Sequence, residues 1–268
     1  MPVPARSLVR IGAVGYLNAR PLTWALDRDP GRWAIRYDVP SVCASLLQAG
    51  EVDLGLTPSI EYLQAPDYRF VPGIGIGSRG PVTSVAIFST KPMAEVRTIA
   101  LDTSSRTSVA LTRVLCHDWF KIAPEFVPQG PGLEAMTAAH DAALLIGDPA
   151  LEADATALGL TKIDLGEAWT AMTGLPFVYA AWTGRAGAAS AGDVAALQAA
   201  RDEGLANIDA IAAEYAGPDE ARTARAAAYL RDNVKYALGR EETAGLQLFL
   251  DYAAELDLAP RRRVLEFF

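Results

Sequence analysis

Residues 75–89 read GIGSRGPVTSVAIFS, and the residues after the last of their glycines decide the fold. The first six letters match G-x-G-x-x-G, the pattern of a dinucleotide-binding turn. Such a turn needs a helix that begins at the last glycine, because the phosphates bind the free N–H groups of its first turn. Here Pro81 follows Gly80, and β-branched and aromatic residues then alternate, which predicts a strand. The segment therefore argues against a nucleotide site. Its glycines are expected to let the backbone lie close to a ligand cleft, just before a strand that carries the chain from one lobe to the other.

Strand-like and helix-like segments alternate before this point in the chain. Three short strand-like segments, the second of which alternates with period two, are separated by two helical segments, which predicts a mostly parallel sheet. Ser41 fits the N-cap of the second helix and Gly50 fits its C-terminal stop. The predicted strands cover residues 8–14, 33–39 and 52–58.

A second block of the same kind follows, from residue 97 to residue 148, and the chain from Asp193 onward is predicted to be helical only. The chain is expected to pass from one block to the other at the strand-like segments 81–89 and 176–183. We therefore expect an α/β protein of two lobes with a ligand cleft between them and a helical C-terminal segment. The predicted division gives residues 1–88 plus 184–268 to lobe I and residues 89–183 to lobe II.

Composition and charge narrow the class of protein. The chain has 268 residues, of which 51% are hydrophobic and 21% charged, as expected of a globular protein. Its apolar runs are too short for a membrane span, and Arg6 and Arg10 interrupt any signal-peptide block, so we expect a cytoplasmic protein. The two cysteines, Cys43 and Cys116, form no C-x-x-C pair and fit a reducing compartment.

Metal and nucleic acid are not expected as partners. The net charge is −8, and the chain has no basic stretch beyond residues 261–263, which argues against nucleic acid. It has two histidines and no metal-ligand spacing, so we expect neither a metal nor another cofactor. His117 and His140 each stand without a catalytic partner nearby in sequence, and structural roles are expected for both.

A hydroxyl-rich stretch, DTSSRTS at 102–108, lies between a predicted strand and a predicted helix. The first turn of such a helix presents unpaired N–H groups and the positive end of the helix dipole. Hydroxyl and guanidinium donors beside it would hold a small carboxylate without a large basic patch. An ordinary N-cap with a solvated arginine is the alternative. The candidate ligands are Ser104, Ser105, Arg106, Thr107 and Ser108.

Two more polar residues follow predicted strands. Asn18 lies in GYLNARP after the first strand, and Asp148 ends the strand-like segment AALLIGD. Side chains at the carboxyl ends of strands in α/β folds commonly face a ligand. An Asx turn at Asn18 and a turn-forming aspartate at Asp148 are the alternatives.

Six segments together carry a family resemblance. They are GYLNARPL, VPSVCASLLQAGEVDLGLTPSIEYL, GPVTSVAIFS, SSRTSVAL, LLIGDPAL and TGLPFVYAAW, in this order. The chain resembles the chorismate dehydratases, which begin the futalosine route to menaquinone. The resemblance covers residues 9 to 184 well and the helical remainder loosely. It implies a type II periplasmic-binding-protein fold and an intracellular enzyme.

The resemblance also implies a reaction and two residues. Chorismate would lose water to give 3-[(1-carboxyvinyl)oxy]benzoate. The family's asparagine and serine correspond to Asn18 and Ser84. Because both side chains are neutral, we expect them to position the substrate and stabilise charge, while the substrate's own enolpyruvyl carboxylate takes the proton. The ring carboxylate is expected at the backbone donors of residues 105–108.

Two alternatives share the fold. The enzyme that makes 1,4-dihydroxy-6-naphthoate uses a histidine base, and neither histidine here lies in a segment matched to it. A non-enzymatic solute-binding or sensory module is the alternative from another class, because a fold does not by itself determine function. The sequence leaves open the oligomeric state and whether Arg79 faces the cleft.

Overall fold

The computed structural model describes residues 8–260 and 262–268, which form two β-sheets flanked by helices. The strands are β1 (Val9–Val14), β2 (Trp33–Asp38), β3 (Leu54–Pro58), β4 (Tyr68–Phe70), β5 (Gly73–Ser78), β6 (Val85–Ser89), β7 (Thr98–Asp102), β8 (Glu125–Gln129), β9 (Ala142–Ile146), β10 (Thr161–Asp164), β11 (Phe177–Arg185) and β12 (Lys235–Leu238). The α-helices are α1 (Arg20–Thr23), α2 (Pro40–Ala49), α3 (Arg106–Asp118), α4 (Leu133–Ala139), α5 (Gly147–Glu152), α6 (Leu165–Thr173), α7 (Ala191–Ala206), α8 (Ile208–Ala216), α9 (Glu220–Ala228) and α10 (Arg240–Glu255).

The first sheet has the strand order β12-β5-β11-β3-β1-β2, and β4 also pairs with β11. Its part built from β2, β1 and β3 is parallel, as predicted. The strands β11, β5 and β12 pair antiparallel, so the sheet is mixed. The returning strand β11 runs opposite to β3 because it enters this sheet from the second one.

The second sheet has the order β10-β6-β9-β7-β8. Among the residues that the structure describes, strand β6 pairs only within this sheet and β11 pairs only within the first. The predicted lobe boundaries at 88/89 and 183/184 therefore fall inside strands that each belong to one sheet. Because a strand pairs along its length, the pairing places the crossings earlier, between Ser78 and Val85 and between Asp164 and Phe177.

The glycines of the opening segment lie in β5 and the turn after it. A Cβ atom on Gly77 would come within 2.6 Å of the Phe177 carbonyl oxygen on β11, so this glycine allows the two strands to pair closely. Strand β6 follows the turn, where a phosphate-binding site would need a helix. The prediction of a strand is confirmed.

The predicted C-terminal end of helix α2 is confirmed, and its predicted N-cap is wrong. Gly50 ends the helix in the left-handed conformation, with φ 72°. Ser41 is not the N-cap, because Pro40 occupies the first helical position and Val39 precedes it. The Ser41 N–H instead donates to the Ser104 carbonyl oxygen over 2.9 Å, which links α2 to the loop before α3.

The prediction that the C-terminal segment is entirely helical is wrong. Strand β12 pairs with β5, and its burial alternates, with Tyr236 and Leu238 buried and Lys235 exposed. Gly239 follows this strand and precedes α10 as its N-cap. Four alternating residues are too few to stand out from the helical periodicity on either side. No helix in the described part of the chain is both long and apolar enough to span a bilayer.

Candidate active site

Ser84 lies where the chain enters β6, and its side chain is almost fully enclosed, with 1% of its surface exposed. Its carbonyl oxygen accepts a hydrogen bond of 2.8 Å from the Gly147 N–H at the start of α5. Its Oγ accepts a hydrogen bond of 2.7 Å from the Tyr229 hydroxyl. The first crossing is therefore tied both to the second sheet and to the C-terminal segment.

The residue before Ser84 has a strained backbone. Thr83 has φ 63°, a conformation that β-branched residues rarely adopt. The Asp164 carboxylate holds it there by accepting the N–H groups of Val82 and Thr83 over 3.1 and 2.6 Å. The same carboxylate caps α6. Strain of this kind persists where the surroundings fix it, and it is frequent at functional sites.

Asn18 lies in a 3₁₀ turn after β1, next to Tyr229. Its Oδ1 atom is buried and has no hydrogen-bond partner among the described residues. Burial raises the pKa of the Tyr229 phenol, while the Ser84 and Asn18 side chains lower it. The structure thus brings Asn18 and Ser84 to one point, and we call these two side chains and Tyr229 the junction.

Tyr16, Gly147 and Ser104 adjoin the junction. A Cβ atom on Gly147, which has φ 67°, would lie 2.7 Å from the Tyr16 ring, so only glycine fits there. The Ser104 hydroxyl lies beside the Tyr16 phenol and lowers its pKa, against burial, which raises it. The two hydroxyls nevertheless lack hydrogen-bond geometry, and Ser104 Oγ is buried without a partner in residues 8–260 and 262–268.

The hydroxyls of Ser105, Thr107 and Ser108, at the start of α3, bond within the protein. Ser105 caps α3, since its Oγ accepts from the Ser108 N–H over 3.3 Å and lies 3.2 Å from Ser108 Oγ. Thr107 Oγ1 accepts a hydrogen bond of 3.1 Å from the Ile60 N–H. The N-cap alternative from the sequence is therefore present at Ser105. The role of these residues as substrate ligands stays a prediction.

Arg106 is held by residues of the first half of the chain. Its guanidinium donates to Glu61 Oε2 over 2.9 Å and to Ser45 Oγ over 3.0 Å. Only 1% of Glu61 is exposed, and its carboxylate also accepts from the Gln48 amide over 2.8 Å. Burial raises the pKa of Glu61, and Arg106 opposes that shift. This contact ties α3 to the segment before β4, while a bond from Arg106 to a substrate carboxylate stays a prediction.

Two buried carboxylates hold backbone near the junction. Asp148 Oδ1 accepts from the Leu17 N–H over 2.9 Å, which joins α5 to the turn that carries Asn18. Asp102 accepts the N–H groups of Ser104 and Ile146 over 2.9 and 3.2 Å. Burial raises the pKa of both aspartates. Asp148 thus joins α5 to the turn after β1 with one of its oxygens, and its role as a substrate ligand stays a prediction.

Several charged residues lie away from the junction. His117 is exposed, and its Nδ1 lies 2.9 Å from the Asp118 carboxylate. Arg79 forms an exposed ion pair with Glu241, so it faces solvent. The described residues include no group of three or more metal-ligating side chains placed to hold an ion.

Two residues of the site were not predicted from the sequence. An aspartate before a helix is a common N-cap, so the capping role of Asp164 could have been predicted. Its hydrogen bond to the Thr83 N–H could not, because it joins distant parts of the chain. Tyr229 follows α9 in a segment with apolar residues at helical spacing, and nothing in that spacing indicated a polar role.

A groove of about 750 Å³ lies beside the junction. Its lining includes Leu17, Lys162, Tyr215, Arg222 and Arg225.

The two sheets and the crossings between them are those of the periplasmic-binding-protein fold. The aliphatic sulphonate binding protein of Escherichia coli shares it with a TM-score of 0.65 and 19% identity, over 96% of this chain and 90% of that one. A protein of Archaeoglobus fulgidus aligns with a TM-score of 0.73 and 17% identity, over 93% of this chain and 98% of that one. The predicted fold is confirmed.

Sequence comparison defines the family. The family model described as menaquinone biosynthesis matches residues 9–255. The chorismate dehydratase of Thermus thermophilus is 32% identical over 267 residues, which is 93% of this chain and 96% of that protein. The chain belongs to the menaquinone biosynthesis family, and the resemblance found in its sequence segments is confirmed.

Proposed function

We propose that this chain dehydrates chorismate to 3-[(1-carboxyvinyl)oxy]benzoate in menaquinone biosynthesis. The observation that carries the proposal is the meeting of Asn18 and Ser84 at the Tyr229 phenol, because the family resemblance implies these two residues. They come from separate segments of the chain and adjoin only in the folded protein. The menaquinone family and the named dehydratase relative support the same reaction.

The reaction needs a proton and a hydroxide to leave the ring. The electron pair of the broken C–H bond becomes the third ring double bond, and the C–O bond to the ring hydroxyl breaks. Proton and hydroxide leave as one water, and the enolpyruvyl ether is kept. Aromatisation supplies the driving force, so the protein's task is to position groups and stabilise the charge that develops.

Ser84 and Asn18 supply neutral donors and acceptors for this task. The aspartates near the junction, Asp102 and Asp148, already accept backbone N–H groups. This arrangement favours the enolpyruvyl carboxylate of the substrate as the proton acceptor. A well-oriented intramolecular base has a high effective concentration, which is worth several kcal/mol, up to about 7–11 in favourable cases.

The substrate's ring carboxylate is assigned to the start of α3. Ser104 Oγ is buried and has no hydrogen-bond partner among the described residues, so its hydroxyl is available to a ligand there. The first-turn N–H groups of α3 add a positive potential. The remaining proposed substrate-binding residues are Ser105, Thr107, Ser108 and Asp148. Arg106, whose guanidinium bonds to Glu61 and Ser45, is proposed to contribute mainly positive potential there.

A cytoplasmic location is part of the proposal. Cys43 and Cys116 are both free and buried, which fits a reducing compartment. The histidine-base alternative is disfavoured because His117 is exposed and, in the described part of the chain, neither His117 nor His140 is hydrogen-bonded to a junction residue. The proposed substrate is a small molecule, and no nucleic acid or membrane partner is proposed.

Incubation with chorismate, followed by chromatography and mass spectrometry, tests the function. The expected product is lighter than chorismate by the mass of one water and keeps its vinyl protons in the NMR spectrum. The Ser84→Ala variant should form it far more slowly. Binding of chorismate without turnover would support a non-enzymatic module, and release of pyruvate would contradict retention of the ether.

A further inference from the structure

Tyr229 is a buried tyrosine that adjoins both residues to which the proposed function assigns the chemistry. Only 4% of its surface is exposed, and its hydroxyl donates to Ser84 Oγ over 2.7 Å. The Asn18 side chain lies close enough to lower the pKa of the same phenol. None of the six segments that carry the family resemblance contains Tyr229.

The direction of the hydrogen bond decides what the Ser84 hydroxyl is free to do. A serine hydroxyl has one hydrogen to donate and two lone pairs that accept. Because Tyr229 is the donor, Ser84 uses a lone pair and keeps its own hydrogen. Within the described part of the chain no residue accepts that hydrogen. Burial raises the pKa of Tyr229, so the phenol keeps the proton that this hydrogen bond requires.

The backbone that carries Tyr229 is fixed to the crossing at two points. Residues Tyr229–Asn233 form a π-helical turn between α9 and β12, a rare geometry that is frequent at functional sites. The Asn233 amide donates to the Pro81 carbonyl oxygen over 3.1 Å. One short segment therefore holds both Pro81 and Ser84.

We propose that Tyr229 is a positioning residue that fixes the Ser84 hydroxyl in one rotamer and directs its hydrogen toward the bound substrate. The inference rests on the proposed function and deepens it by naming the group that orients Ser84. The Asp164 carboxylate fixes the strained backbone of Thr83, and Tyr229 fixes the side chain of Ser84. Without the phenol hydroxyl, the Ser84 side chain is free to populate other rotamers.

The test is a double-mutant cycle with Tyr229→Phe, Ser84→Ala and both together. Tyr229→Phe keeps the ring and removes only the hydroxyl. We expect kcat for chorismate to fall by about 10- to 100-fold with KM changed less than about threefold, because orientation acts on the chemical step. If Tyr229 acts through Ser84, the double variant should be no slower than Ser84→Ala alone.

Tyr62→Phe is the matched control. The Tyr62 hydroxyl is also buried and donates to the Val264 carbonyl oxygen over 2.8 Å, outside the junction. Its loss should lower Tm as Tyr229→Phe does, with kcat unchanged. A Tyr229→Phe enzyme that loses only Tm would overturn the inference, and so would effects on kcat that multiply in the double variant.

A crystal structure of Tyr229→Phe tests the inference independently of activity. Ser84 should occupy a different rotamer, or more than one, whereas the wild-type protein should show one. An unchanged Ser84 rotamer in the variant would overturn the positioning role even if chorismate is turned over. If wild-type protein fails to convert chorismate, the proposed function fails, and the rotamer comparison still decides whether Tyr229 orients Ser84.

Discussion

The crossing segment Val82–Ser84 and the helix start Ser104–Ser108 both bring hydroxyl groups to the contact between the two sheets, but these hydroxyls have different partners. At the helix start, Ser105 and Ser108 bond to each other, and Thr107 accepts from Ile60. In the crossing segment, Ser84 is held by Tyr229 and keeps its hydrogen. A hydroxyl-rich sequence therefore describes a well-capped helix as readily as a ligand site. The chemistry is to be expected where a polar group is fixed in place and still has a hydrogen to donate.

The largest expected effect is the loss of the Ser84 hydroxyl. Ser84→Ala should lower kcat for chorismate by about 100-fold or more, the usual result of removing one donor aimed at developing charge. Ser89→Ala is the matched control, because Ser89 lies at the other end of β6, is equally buried and donates to the Lys91 carbonyl oxygen. Steady-state kinetics with chorismate measure kcat for both variants. Equal losses of kcat in both variants would mean that the Ser84 hydroxyl has no special role and that a less stable β6 explains the loss.

The strained backbone before Ser84 should depend on Asp164. Asp164→Ala removes the acceptor of the Val82 and Thr83 N–H groups and also the cap of α6. We expect a loss of about 2 to 4 kcal/mol in the free energy of unfolding, together with a fall in kcat.

Asp219→Ala is the control for Asp164→Ala, since Asp219 caps α9 and bonds to the Arg222 N–H. It should cost about 1 kcal/mol, as the loss of a helix cap alone does, without a change in kcat. Denaturant unfolding measures both variants. If Asp164→Ala cost no more than Asp219→Ala and kept full kcat, Asp164 would be only a helix cap.

Arg106 should matter more for stability than for binding. Arg106→Ala leaves the buried Glu61 carboxylate without its cation, which should cost about 2 kcal/mol at neutral pH. KM for chorismate should change less than about threefold, because the contacts of Arg106 lie mainly within the protein. Replacing both residues, as Glu61→Gln with Arg106→Met, should restore most of the stability.

The stability loss in Arg106→Ala should also depend on pH. Burial raises the pKa of Glu61, so the folded protein binds its proton more tightly than the unfolded chain does. Stability is then full below the carboxyl's ordinary pKa and falls as pH rises through the raised one. Acidification should therefore reduce the difference between the variant and the wild type. A KM increase of about 100-fold in Arg106→Ala would instead place its guanidinium on the substrate.

The smallest expected effect is that of Asp148→Asn. The amide oxygen still accepts the Leu17 N–H, and the proposed base belongs to the substrate. Activity should therefore remain within about tenfold of wild type over the pH range where chorismate is a dianion. A loss of about 10²- to 10⁴-fold would make Asp148 the general base. The pH profile of kcat/KM measures the difference.

Much of the fold was predictable because its signals are local. Pro81 after Gly80 excluded a helix, and the alternation of segments on both sides of it indicated two sheets. The lobe boundaries were harder to place, because pairing decides to which sheet a crossing strand belongs. Strand β12 was missed because its four residues lie between helices and gain their partner only from β5.

The site was predictable where residues follow motifs and not where distant segments meet. Asn18 and Ser84 came from segments with a family resemblance, and the structure brings them to one point. Tyr229 lies in the loosely matched remainder, and its spacing predicted only an apolar helix face. The charge of Arg106 was visible in the sequence, but its bond to Glu61 joins two elements that only the fold brings together.

A crystal structure of the Ser84→Ala variant with 3-[(1-carboxyvinyl)oxy]benzoate is the decisive test of the proposed site. We expect the ligand at the junction, with its ether-bearing ring edge beside Asn18 and the position of the lost hydroxyl, and one carboxylate at the start of α3. Arg106 should still lie on Glu61. A ligand that occupies the groove beside Leu17, or that contacts neither Asn18 nor the substituted position 84, would contradict the assignment of the chemistry to the junction.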